Sequence, residues 1–109
     1  MRRGDIYTVA ARGAYTGKPR PVLVIQNDRF DATASVTVVP FTTSDIDAPL
    51  LRIRIELTAT TGLTAASSLM IDKVTTVPRT SLTHRIGRLP EADMARTDRA
   101  LLVFLGLAG

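Results

Sequence analysis

Three short runs of β-branched and apolar residues constrain the fold of this chain more than anything else in it. PVLVIQ at 21–26 is apolar on both faces, the pattern of a strand buried between neighbours. ASVTVVPF at 34–41 is a second strong run, and LLRIRIEL at 50–57 alternates. In that third run Leu51, Ile53 and Ile55 share one face and Arg52, Arg54 and Glu56 the other, which predicts a strand with one wet face. Turn-rich stretches separate the runs: residues 11–19, broken by Gly13, Gly17, Lys18 and Pro19, and the polar TTSDIDAP at 42–49. A less regular alternation at 4–10, with Ile6 and Val9 inward, gives a first strand, and 27–32 is a connection with room for one helical turn. Beyond Gly62, residues 68–77 give one or two strands split near Asp72, and 83–89 a last short one.

At Pro90 the period changes. Proline suits a first helical turn, Glu91 and Asp93 complement the positive end of a helix, and Gly106 suits its stop. Met94, Leu101 and Leu105 recur at helical spacing with Ala95 and Leu102 beside them, predicting a stripe packed on the strands. Five to seven short antiparallel strands followed by one C-terminal helix predict a mainly β fold, a small bent sheet or barrel with the helix against it. The 109 residues hold no repeat and no linker, so one domain over 1–109 is expected.

Composition removes several chemistries. The chain has no cysteine and one histidine, His84, which excludes a thiolate site and a two-histidine acid/base ribonuclease. His84 lies in THRIGRL beside Arg85 and Arg88 and reads as a surface or barrel-end residue. Asp45 and Asp47 share a loop without a third carboxylate, a poor start for a metal-dependent nuclease, so neither metal nor cofactor is expected. A net charge of +4 points to an anionic partner, whether nucleic acid, acidic protein or lipid surface. The opening MRRGDIYTVA lacks the apolar run of a secretion signal, and no stretch approaches the roughly 20 apolar residues of a membrane span. A cytoplasmic protein with no membrane role is the expectation.

Two residues have the chemistry to grip a phosphate. Arg20 lies between Pro19 and Pro21, which hold its backbone extended where a loop enters the first strong strand. Its guanidinium matches two phosphate oxygens, although an arginine in such a place is more often solvated or salt-bridged. Thr42 opens the polar stretch after the second strand, where a hydroxyl commonly bonds nearby backbone. Strands adjacent in sequence usually neighbour each other in the sheet, which would bring the two together.

Three segments resemble the MazF/PemK family of toxins: RRGDIYTV at the start, GAYTGKPRPVLVIQND at 13–28, and VTVVPFTT at 36–43. A weaker likeness continues through MIDKVTTVPR and LTHRIGRL to the final helix. The resemblance implies an SH3-like small β-barrel, a homodimer, and metal-free cleavage of single-stranded RNA. It places the catalytic pair at Arg20 and Thr42, and an RNA-binding groove along Tyr15, Thr16, Lys18, Thr43, Asp72 and Lys73. On their own terms Tyr15 could stack a base and Lys18 hold a phosphate. Equally, Tyr15 could be an ordinary loop aromatic, and Asp72 and Lys73 a surface ion pair.

The implied reaction is transesterification by the RNA's own 2′-OH, leaving 2′,3′-cyclic phosphate and 5′-OH ends, with the protein supplying charge stabilisation and alignment. The implied partner is a MazE-like antitoxin whose acidic, disordered segment lies along the basic groove and displaces the first loop. This chain has Gly13-Ala14-Tyr15-Thr16 where many relatives have Gly-Ser-Glu-Gln, and Asp72-Lys73 where Glu-Gln or Asp-Gln is common. These departures bear on which bases are read. The competing expectations are a CcdB-like toxin that binds gyrase on the same fold, and a passive nucleic-acid-binding barrel.

Overall fold

Each β-branched run becomes a strand of one sheet in the computed structural model, which describes residues 1–10 and 19–109. The strands are β1 (Asp5–Val9), β2 (Arg20–Val24), β3 (Ser35–Thr42), β4 (Arg52–Ile55), β5 (Ser67–Met70), β6 (Thr75–Pro78) and β7 (Leu82–Arg88), followed by helix α1 (Glu91–Phe104). Short 3-10 turns occur at Asp28–Phe30, Ile71–Lys73 and Arg79–Ser81. The first of these is the helical turn expected within 27–32, capped by the Asn27 side chain, which accepts from the Arg29 N–H at 2.9 Å.

Pairing is antiparallel throughout, in the order β4-β5-β3-β2-β1-β7, with β6 also on β3. One edge of β3 pairs with β2 through residues 38–40. Its other edge pairs first with β6 (35–38) and then with β5 (41–42), and Pro40, which has no N–H to donate, stands in the gap. The expected barrel is therefore a curled sheet whose hydrogen-bonded path does not close, since β4 and β7 remain its two ends.

The curl gives two apolar clusters. The larger joins Ile6, Leu23, Val39 and Phe41 to Ile53, Ile55, Leu69, Ile71, Leu89 and Leu101. The smaller, on the opposite sheet face, holds Val22, Val24, Val36 and Val38. PVLVIQ is apolar on both sides because it serves both. The irregular alternation of the first strand has the same origin: Ile6 enters the large cluster and Val9 the small one, and the β1–β7 register slips twice along the way.

Two expectations need correction. In 50–57 only residues 52–55 are strand, and Arg52 does not face water: it is paired with Asp72 and only 13% exposed. In α1 the face on the core is Met94, Thr97, Ala100 and Leu101, while Ala95 is exposed, as are Leu102 and Leu105 at 45% and 57%. The helix packs mainly on β4 and the Ile71–Lys73 turn, so its last turn runs past its support. Thr97 is tolerated inside because its hydroxyl donates to the Asp93 carbonyl at 2.8 Å.

A buried carboxylate ties the N-terminus to β7. Asp5 accepts from the Arg2 N–H at 2.8 Å and from Arg88 at 2.9 Å, with Arg85 at 3.2 Å. Burial pushes its pKa up, but the Arg2 N–H and the two guanidiniums outweigh it and hold the group below its ordinary 3.8. A depressed folded pKa contributes stability above the unfolded carboxylate range, and that stability is lost as pH falls through the folded value. Asp5→Asn is expected to cost about 1.5–3 kcal/mol at neutral pH. The gap to the parent should narrow below about pH 4, as urea unfolding at pH 7 and pH 3.5 would show.

Candidate functional site

Arg20 and Thr42 come together because β2 and β3 are neighbours. Their ladder ends at the pair Val22–Pro40, and beyond it Arg20 is held by pairing with Val9 of β1 while β3 runs on to Thr42. Pro19 and Pro21 fix the backbone on each side of Arg20 at the mouth of β2. Thr42 ends β3 and is held from the other side by its pairing with Ser68 of β5. A rigid ladder thus carries both side chains, which is what positioning a reacting group requires.

Both residues line one cavity of about 780 Å³, together with Thr43. Arg20 is its one ionisable residue among the described residues, and it also makes interactions of its own. Hydroxyls come from Thr8, Thr42, Thr43, Thr64 and Ser67. The Thr42 oxygen accepts from the Ser44 N–H at 3.1 Å. That bond orients the hydroxyl and uses acceptor capacity only, leaving its proton to be donated to an anion. A planar cation beside an oriented hydroxyl suits a phosphate, and five hydroxyls beside apolar carbon suit a polar, uncharged appendage.

The remaining expected site residues divide in two. Tyr15, Thr16 and Lys18 lie outside the described residues. Asp72 and Lys73 sit in the Ile71–Lys73 turn and are not part of the cavity lining. Asp72 is bonded to Arg52, with Lys73 at 3.7 Å. The Arg52 contact is the main reason its carboxyl lies below the ordinary range. His84 is exposed on β7 opposite Thr8. Asp45 is paired with Arg54 at 3.3 Å, and no group of three potential metal ligands converges among the described residues.

Sequence reasoning missed the other part of the lining: Leu63, Thr64 and Ser67 before and within β5, and Ile86 of β7. Locally TTGLTAASS carries only a turn signal. The one usable hint was a pair of glycines, Gly62 and Gly87, and only the fold shows that they meet.

The Arg52–Asp72 pair fixes β4 against the turn after β5. Asp72→Ala should leave a half-buried guanidinium without its carboxylate and lower stability by about 1–2 kcal/mol, measured as a fall in the urea midpoint. An unchanged midpoint would mean the pair contributes nothing.

Residues 2–105 match the family described as PemK-like, MazF-like toxin of type II toxin-antitoxin system. The chain is 85% identical over 109 residues to "Probable endoribonuclease MazF" of Mycolicibacterium smegmatis, covering all of both chains. It is 34% identical to "Endoribonuclease MazF9" of Mycobacterium tuberculosis, covering 98% of each. Among solved structures it resembles "Mycobacterium tuberculosis toxin MazF-mt6" with a TM-score of 0.80 at 24% identity, covering 96% of this chain and 99% of that one. An endoribonuclease in complex with its cognate antitoxin, from a mycobacterial species, superposes with a TM-score of 0.78 at 23% identity, covering 100% and 96%. At these identities the two structures speak for the fold alone.

Proposed function

The chain belongs to the family of PemK-like, MazF-like toxins of type II toxin-antitoxin systems, and from that premise we propose that it is the toxin endoribonuclease of such a system, with Arg20 and Thr42 as its catalytic pair. The single observation that carries the site is their convergence: the ends of two neighbouring strands line one cavity. A gyrase-binding toxin on the same fold would have no need of that pair, and these relatives are named endoribonucleases.

The substrate is single-stranded RNA. Its 2′-OH attacks the adjacent phosphorus, the bond to the 5′-oxygen breaks, and the leaving oxygen takes up a proton as the 2′-OH loses one. The products are a 2′,3′-cyclic phosphate and a 5′-OH end. Because the nucleophile belongs to the substrate, the chain need only steady the charge that gathers on the non-bridging oxygens. The Arg20 guanidinium spans two of those oxygens, and the Thr42 hydroxyl, already oriented by the Ser44 N–H, donates to one. DNA, lacking the 2′-OH, can bind without being cut.

Restraint comes from a cognate antitoxin whose acidic segment occupies the same cationic groove and competes with RNA. The toxin acts in the cytoplasm, and no helix among the described residues is long and apolar enough to cross a membrane. It works as a homodimer. The end of α1 and the residues after it offer exposed Leu102, Val103, Phe104, Leu105 and Leu107 on one stretch of chain, an apolar surface that a second copy would cover.

Arg20→Ala and Thr42→Ala should each slow cleavage of a long single-stranded RNA in EDTA by about 10²–10³-fold while keeping the parent's melting behaviour. If both folded variants cut at the parental rate, the site assignment is wrong. Leu105→Asp with Leu107→Asp, both exposed, should leave the subunit folded and sediment as a monomer where the parent sediments as a dimer.

A further inference from the structure

The groove has a second part that the phosphate-gripping residues leave unused. It is built from residues 62–67 and from Ile86, and it carries no charge.

This part is held unusually firmly. The Arg88 N–H donates to the Thr60 carbonyl at 2.9 Å. Thr61 is fully buried; its hydroxyl donates to the Thr58 carbonyl at 3.0 Å and accepts from the Leu63 N–H at 3.3 Å. Gly62 has φ +69°, and a Cβ there would lie 1.9 Å from the Ile86 carbonyl oxygen. A Cβ on Gly87 would lie 2.3 Å from the Thr61 carbonyl. Backbone is thus pressed on backbone, an approach only two glycines permit. At the far end Ser67 is buried, its hydroxyl donating to the Ala65 carbonyl at 2.9 Å. Between these anchors stand the half-buried Leu63 and the exposed Thr64, with the half-buried Ile86 beside them.

Apolar carbon with a hydroxyl at its margin is a poor match for a phosphate. It is a good match for a nucleobase, whose faces are apolar and whose edge makes hydrogen bonds. The cavity, at about 780 Å³, is far larger than a phosphate alone would fill. Resting on the endoribonuclease reading above, we propose that Leu63, Thr64 and Ile86 form the base-reading wall of the groove. Leu63 and Ile86 take the face of the base next to the scissile phosphate, and the Thr64 hydroxyl reads its edge. A wall anchored at both ends discriminates by shape, because a base of the wrong outline is accommodated only by moving the anchored backbone.

The test maps every 5′-OH end produced from one long single-stranded RNA by the parent, Leu63→Ala, Leu63→Met, Thr64→Val and Arg20→Ala. Thermal melts show which variants are folded; Thr64, being exposed, can lose its hydroxyl without disturbing the core. Leu63→Ala and Thr64→Val are expected to reduce preference at the base flanking the cut by on the order of tenfold, new sites appearing as the parental ones weaken. Leu63→Met, which keeps the bulk, should retain most of the parental pattern. Arg20→Ala should depress all sites alike. If folded Leu63→Ala and Thr64→Val cut the parental sites in the parental proportions, the wall does not read the base and the inference is overturned, with the catalytic assignment intact. If the parent cuts no RNA, the functional reading fails and this inference with it.

Discussion

Strand β3 is hydrogen-bonded along both edges, and the rest of the structure depends on that. On one side it meets β2; on the other it meets β6 and then β5, changing partner where Pro40 interrupts the donors. A strand shared in this way must curl, because its two successive partners lead away in different directions. The curl encloses the larger cluster between the sheet and α1 and leaves the smaller valine cluster on the other face. It also brings the ends of β2 and β3 to the rim of a cavity whose remaining lining comes from residues far along the chain.

That cavity joins two kinds of physical control. At the strand ends stand a cation and an oriented hydroxyl, the pair proposed to meet charge that appears only as phosphorus is attacked, which is where stabilisation accelerates a reaction. Along residues 62–67 and at Ile86 the surface is neutral and its backbone is pinned to β7. The first part can serve any phosphate in an RNA chain. The second, in the reading proposed above, meets the neighbouring base.

The positive charge of the chain is less available to RNA than a count of arginines suggests. Arg3 is paired with Asp98, Arg52 with Asp72, Arg88 with Asp5, and Arg96 with Asp93. Several of these pairs tie elements together: the N-terminus to α1, β4 to the turn after β5, and β1 to β7. Exposed pairs of this kind contribute little each, but those at Asp5 and Asp72 are largely buried and hold geometry. Within the described part of the groove the cation is Arg20.

The periods of the sequence were sufficient for five to seven strands and the helix, because strand and helix repeats are local and each run is apolar where it is buried; that residues 67–78 hold two strands came from the fold. The prolines around Arg20 and the threonine at the end of VTVVPFT are visible one residue at a time as backbone restriction and side-chain chemistry, but it was the family resemblance that singled the two out as a candidate site. The open path of the sheet, the inward turn of Arg52 and the bare end of α1 were not legible, since each depends on what lies across space. Arg52 alternates like an exposed residue and is buried only because Asp72 meets it; Leu105 follows the helical stripe and is exposed only because the helix outruns its support. Least visible was the neutral wall. Leu63, Thr64 and Ile86 share no period and no motif, and become one surface only when Gly62 and Gly87 let two backbones touch. Local chemistry decided what this chain is made of and where it could hold a phosphate; long-range packing alone decided what stands beside it.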